Sequence, residues 1–206
     1  MTLVNLTVLQ VGAMNIKVNK YFLGLIFSIC AGTSVSAAEL VQFPEQVDSF
    51  KLMETHEYDD PGLGYTVRFY DGERRNKVDV YIYPVQSELY QYSHSDLVAI
   101  YMQSARQDIH AAKDQGMYIN VDDLDLLQYE ADGNIILKST HKILSGNNEE
   151  LYSVVYLTEY LHNIVKVRVS VPADITNYMT EQFQETVFKL ILLSLDGLER
   201  QEQQAN

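Results

Sequence analysis

The run Ile164-Val165-Lys166-Val167-Arg168-Val169-Ser170-Val171-Pro172 constrains the fold more than any other stretch of the chain. In an extended backbone Val165, Val167, Val169 and Val171 fall on one side, and Lys166, Arg168 and Ser170 on the other, because successive side chains of a strand point to opposite faces. Such a strand needs a core beneath its valines, so the chain has to build a sheet with a buried face. Pro172 has no N–H to continue the ladder and ends the strand. Two extended runs precede it, Ile135 to Leu144 and Glu149 to Tyr160, with joints at Ser145-Gly146-Asn147-Asn148 and His162-Asn163. Joints this short connect antiparallel neighbours, so the three runs read as a β-meander.

Upstream, Tyr65, Val67 and Phe69 alternate with Thr66, Arg68 and Tyr70, while Val78, Val80 and Ile82 alternate with Asp79, Tyr81 and Tyr83. The polar loop from Asp71 to Asn76 between them predicts a β-hairpin. Phe50 and Leu52 open an earlier strand that stops at Asp59-Asp60-Pro61-Gly62. Tyr118 to Val121 and Leu124 to Tyr129 read as two short strands broken by Asp122-Asp123, and Asp132-Gly133 as a further turn. Ser93 and Asp96 have capping-box spacing, after which Val98, Tyr101, Met102, Ala105, Ile109 and Ala112 share a helical face that Gly116 terminates. A second helix is expected from a cap at Asp174 or Thr176, with Met179, Phe183, Val187, Leu190 and Ile191 on one face and a stop at Asp196-Gly197. The expected fold is α+β: a mainly antiparallel sheet, hairpin plus meander, packed with two amphipathic helices as an αβα-like sandwich.

The amino-terminal region has the order of a secretory leader. Met14 to Lys20 carries Lys17 and Lys20, Tyr21 to Gly32 is apolar, and Val35 and Ala37 are small residues placed for cleavage after Ala37. The apolar run covers about 12 residues, whereas a spanning helix needs roughly 20. Ile29 before Cys30 departs from a lipoprotein signal, and Met14 is read as an alternative start. Residues 1–37 are therefore expected to be a signal peptide, 38–197 one globular domain and 198–206 a polar disordered tail. The processed chain would be periplasmic or secreted, with no membrane span. Loss of Lys17 and Lys20 deepens the formal charge from −13 to −15, which excludes nucleic acid as a natural partner because that binding relies on displaced counterions. Loss of Cys30, the one cysteine, leaves no disulfide and no thiolate chemistry.

The order of hairpin, long helix, meander and a terminal helix after Lys166-Val167-Arg168-Val169-Ser170-Val171-Pro172 resembles the Mog1/PsbP-like fold, across most of residues 47–196. Glu57-Tyr58-Asp59-Asp60-Pro61-Gly62-Leu63-Gly64-Tyr65 is similar to a segment of uncharacterised exported bacterial proteins. The resemblance implies a mostly non-enzymatic protein that binds partners or assists assembly.

The chain contains no nucleophile elbow, zinc-protease helix, phosphate loop or dinucleotide fingerprint. His56-Glu57 with Asp59-Asp60 could bind a metal, but neighbours on a strand point apart. Asp122, Asp123 and Asp125 crowd an expected loop without the spaced ligand array calcium requires. No catalytic residue, metal ligand or cofactor is assigned. The binding candidates are Arg68, Tyr70, Tyr81 and Tyr83 on the polar face of the hairpin, followed by Tyr90 and Tyr92, since Tyr and Arg dominate binding hot spots. The expected function is an exported, non-catalytic binding or assembly module whose partner is another exported protein or peptide. The alternative is a hydrolase-like enzyme in which His94, His141 or His162 meets a carboxylate only through folding.

Overall fold

Eight strands and two long helices make up most of residues 40–131, 133–173 and 181–205, which a computed structural model describes. The strands are β1 (Gln46–Val47), β2 (Phe50–Glu57), β3 (Tyr65–Asp71), β4 (Asn76–Pro84), β5 (Tyr118–Ala131), β6 (Asn134–Ser145), β7 (Glu150–Tyr160) and β8 (Asn163–Pro172). Helix α1 (His94–Asp114) lies between β4 and β5, and α2 (Glu181–Ala205) follows β8. The leader residues, Asp132, the Asp174 and Thr176 caps and Met179 lie outside the described residues.

All neighbouring strands pair antiparallel, in the order β1-β2-β3-β4-β8-β7-β6-β5. The valine strand β8 sits between β4 and β7, and Val165, Val167, Val169 and Val171 are fully buried. The chain leaves the middle of the sheet after β4, crosses through α1 to the far edge at β5, and returns strand by strand to pair β8 with β4. Ser93 starts α1 by accepting the Asp96 N–H at 3.2 Å, and Gly116, at φ 79°, ends it with its N–H on the Lys113 carbonyl.

The alternation in β7 shows how the layers are arranged. Val154 and Tyr156 join one core with α2 residues Phe183, Val187, Leu190 and Ile191. Val155 and Leu157 join another with α1 residues Leu97, Val98, Met102, Ala105 and Ile109. The helices therefore cover opposite faces, and β7 is apolar on both sides for that reason. Helix α1 lies over β5, β6 and β7, while α2 lies against β8 and β1. Among the described residues, α1 leaves most of the β3–β4 half of that face uncovered, reaching β4 through Tyr101 against Tyr83. No helix among the described residues is long and apolar enough to cross a membrane.

Two expectations are corrected. The segment read as two short strands around an acidic loop is one 14-residue strand, β5, with register shifts between Tyr118 and Asn120 and between Asp123 and Asp125. The bulges interrupt the period-2 signal, so an edge strand with exposed acids looked like a loop. The tail read as disordered is helical through Ala205, and Leu198 is buried. Gly197 is not a stop: a Cβ there would lie 2.3 Å from Val41 Cγ1, so glycine permits close contact between α2 and the amino-terminal segment.

Leu161 and His162 join β7 to β8 with φ of 50° and 57°. A two-residue turn with both φ positive favours Asn or Gly, and a branched residue there is strained. Leu161→Asn is expected to stabilise the fold by about 1 kcal/mol, read as a higher denaturation midpoint with an unchanged slope.

Candidate functional site

Cross-strand pairing sets two rows of side chains on the α1 face. Glu54, Arg68, Asp79 and Arg168 pair in succession across β2, β3, β4 and β8, and Thr66, Tyr81 and Lys166 do so alongside them. Asp79 is nearly inaccessible and accepts from Arg68 Nε at 2.7 Å, with Lys77 Nζ at 2.9 Å. Arg68 also pairs with Glu54, and its bond to Asp79 holds the guanidinium pKa above its usual value.

Arg168, at the end of this row, and Lys166, in the row beside it, are held by other contacts. Lys166 Nζ stands 4.4 Å from the Tyr81 ring centroid and 5.6 Å from that of Tyr83, an arrangement that uses the negative faces of the rings. Arg168 donates to Ser153 Oγ and to the Tyr118 hydroxyl, each at 3.1 Å. Among the described residues neither cation has a carboxylate within 4.0 Å. Burial lowers the Lys166 pKa, with the more distant Asp108 opposing it. Lys166, Arg168, Asp108, Tyr118 and Ala105 line a hollow of about 80 Å³ at the edge of α1.

Burial pushes the Tyr81 hydroxyl up to about 12, aided by the Asp79 charge, and raises Tyr83 as well. These phenols ionise at lower pH in the unfolded chain than in the folded one. Their contribution is intact below pH 10.0, the ordinary tyrosine value, and declines as pH rises above it. Tyrosinate absorbance recorded with far-ultraviolet dichroism is expected to show ionisation and unfolding together, and a smaller loss in the Tyr81→Phe, Tyr83→Phe double variant.

Of the six binding candidates, Arg68, Tyr70, Tyr81 and Tyr83 share the α1-side face, with Tyr70 exposed two residues beyond Arg68 on β3, opposite Lys77. Tyr90 and Tyr92 lie in the loop before α1 instead. Both are exposed, and Tyr90 stacks on His162 with centroids 4.5 Å apart. Tyr101 on α1 connects the two groups: its ring lies 5.9 Å from that of Tyr83, and its hydroxyl accepts the Gln86 N–H at 3.0 Å. His56 is exposed and packs edge-on against Tyr58.

No family model and no curated protein matches the chain. The chain is similar to cyanobacterial PsbP (CyanoP) from Synechocystis sp. PCC 6803 in its solution structure. The match covers 78% of this chain and 95% of that one, with 16% identity and a TM-score of 0.45. That structure bears the PsbP fold name read from the sequence. An overlap of this size carries no functional argument.

Folding also creates histidine–carboxylate pairs that no linear motif reveals. His94 Nδ1 lies 2.7 Å from Glu159 Oε2, and its Nε2 faces the Ile135 N–H at 3.4 Å, so this ring ties the start of α1 to β6 and β7. His141 is fully buried, with Nδ1 2.7 Å from Asp123 Oδ1 and Nε2 3.1 Å from Ser139 Oγ. His110 Nε2 reaches the same Asp123 oxygen at 3.0 Å, and Arg106 donates to the other oxygen at 2.7 Å. Burial opposes ionisation of Asp123, but bonds from Arg106, His141 and His110 outweigh it and hold the carboxyl below the ordinary range. Burial lowers the His141 pKa despite Asp123. In the sequence Asp123 and His141 were readable only as separate candidates and His110 not at all, because the members come from α1, β5 and β6 with no linear spacing to join them. Lys166 and Arg168 were visible there as the polar side of β8.

Proposed function

We propose that the chain is an exported, non-catalytic binding or assembly module that docks another exported protein or peptide on the open half of its sheet. The observation that carries this reading is the pair Lys166 and Arg168. Among the described residues the two cations have no carboxylate within 4.0 Å, and cations so placed are costly to bury. They sit among tyrosines in a chain with 28 acidic residues available to pair them. A partner that presents a carboxylate side chain would supply the missing charge, and Tyr70, Tyr81 and Arg68 would supply contact area at low entropic cost. The net negative charge elsewhere works against nucleic acid and anionic lipid.

The test is capture of the partner from the producing cells with the wild-type chain and with Tyr81→Ala, Tyr83→Ala. The double variant is expected to lose about 100-fold in affinity, the scale of two hot-spot side chains. Equal capture by a folded double variant would refute the reading.

The enzyme alternative has one observation in its favour, the Asp123–His141–Ser139 relay, whose order matches a nucleophilic triad. Against it, Ser139 is 0% exposed, so its hydroxyl has no access to a substrate carbonyl. Ester or amide hydrolysis abolished by Ser139→Ala would favour the alternative.

A further inference from the structure

The cluster at His110, Asp123 and His141 lies under α1, away from the open half of the sheet, and has a separate chemistry. From its geometry we propose a binding site for a divalent transition-metal cation of the zinc type, ligated by His110 Nε2, Asp123 Oδ1 and His141 Nδ1.

Four observations converge on it. The three donor atoms lie within 4.8 Å of one another although they come from three different elements. Asp123 Oδ1 stands 3.0 Å from His110 Nε2 and 2.7 Å from His141 Nδ1. Ligands around a tetrahedral zinc with bonds of about 2.0–2.1 Å are roughly 3.3 Å apart, so each imidazole needs to move away from the Asp123 oxygen by only a few tenths of an ångström. The atoms not used as ligands are held in place: Ser139 Oγ meets His141 Nε2 at 3.1 Å and Arg106 holds Asp123 Oδ2 at 2.7 Å, the outer contacts that orient metal ligands. Finally, the bulge between Asp123 and Asp125 departs from strand register at the ligand itself, a common device for aiming a side chain into a site.

Two imidazoles and one carboxylate suit zinc and its first-row neighbours rather than calcium or magnesium, which prefer all-oxygen shells. His141 is buried, whereas His110 and Asp123 are 43% and 37% exposed at the side chain. The ion therefore approaches past the carboxylate and the helix, and a water completes its shell from solvent. His110 sits one turn from the carboxyl end of α1, where the helix dipole favours a cation. The Arg106 charge opposes the ion and sets the site's affinity below that of an all-anionic cage.

The test uses the untagged chain and zinc alone, in competition with a chromophoric chelator. One zinc per chain is expected, and cobalt in its place should show the visible bands of a tetrahedral ion. His110→Ala removes a half-exposed ligand, so the fold should survive, as its thermal midpoint will report, and zinc affinity should fall by about 100-fold. Ser139→Ala should lower affinity about tenfold through orientation alone. No zinc bound by the wild-type chain would overturn the proposal. So would zinc bound equally well by folded His110→Ala and Asp123→Asn.

Discussion

Gly64→Ala is expected to remove a large share of the fold's stability and to lower its denaturation midpoint far more than any neighbouring glycine substitution. Gly64 has φ 61° and ψ −125°, a conformation that side chains with a Cβ rarely adopt. A Cβ there would lie 2.0 Å from the Ile82 carbonyl oxygen and 2.7 Å from Tyr83 Cα. Both obstacles are backbone atoms of β4, pinned on one side by the Tyr65–Ile82 pair and on the other by β8. Relief would require moving a central strand, not rotating a side chain. The strain and clash together should cost about 4 kcal/mol or more, against a total stability of roughly 5–15 kcal/mol. Gly62→Ala is the control: its Cβ would meet the Asp60 carboxylate oxygen at 3.2 Å, and that side chain can rotate away. Equal denaturation midpoints for the two variants would show that β4 does not approach Gly64 as described.

Lys166→Met is expected to separate stability from binding. The ammonium is drawn into a partly apolar place beside Tyr81 and Tyr83, and burial holds its pKa below 10.5. A lysine whose folded pKa is depressed binds its proton less readily in the native state than in the unfolded one. Its charge therefore weakens the fold at neutral pH, and the penalty fades as pH rises toward 10.5. Methionine keeps the stem's packing and removes the charge, so stability should rise by about 1–2 kcal/mol. Affinity for a carboxylate-bearing partner should fall by about 100-fold, the loss of one charge-assisted contact. A variant both more stable and deficient in binding would mark Lys166 as retained for recognition. A less stable variant would mean that the tyrosine rings already compensate the ammonium.

The valines of β8 made its strand legible because a two-residue period survives wherever one face is buried and the ladder is regular. β5 failed that test at Asp123 and Asp125, where a bulge shifts the pattern and exposed acids imitate a loop. Gly197 was misread because a glycine near the end of an apolar period looks the same whether it terminates a helix or admits Val41. The tyrosine face was readable as a set of alternating residues, but its openness depends on where α1 crosses, mainly over β5 to β7, with Tyr101 alone shown against β4. The His110–Asp123–His141 cluster depends on that same crossing. Thirteen residues separate the first pair and 18 the second, spacings without period or motif. Only the register of β5 against β6, with Asp123 opposite His141, brings them together.

The docking face is tested most directly by photo-crosslinking in the producing cells. A photoreactive residue placed at Arg68 or Tyr70 should capture one partner, while the same residue at Glu199 on α2 or at Asp122 on the β5 edge, both exposed, should capture none. Adducts confined to Glu199 or Asp122, or none at Arg68 and Tyr70, would contradict the account.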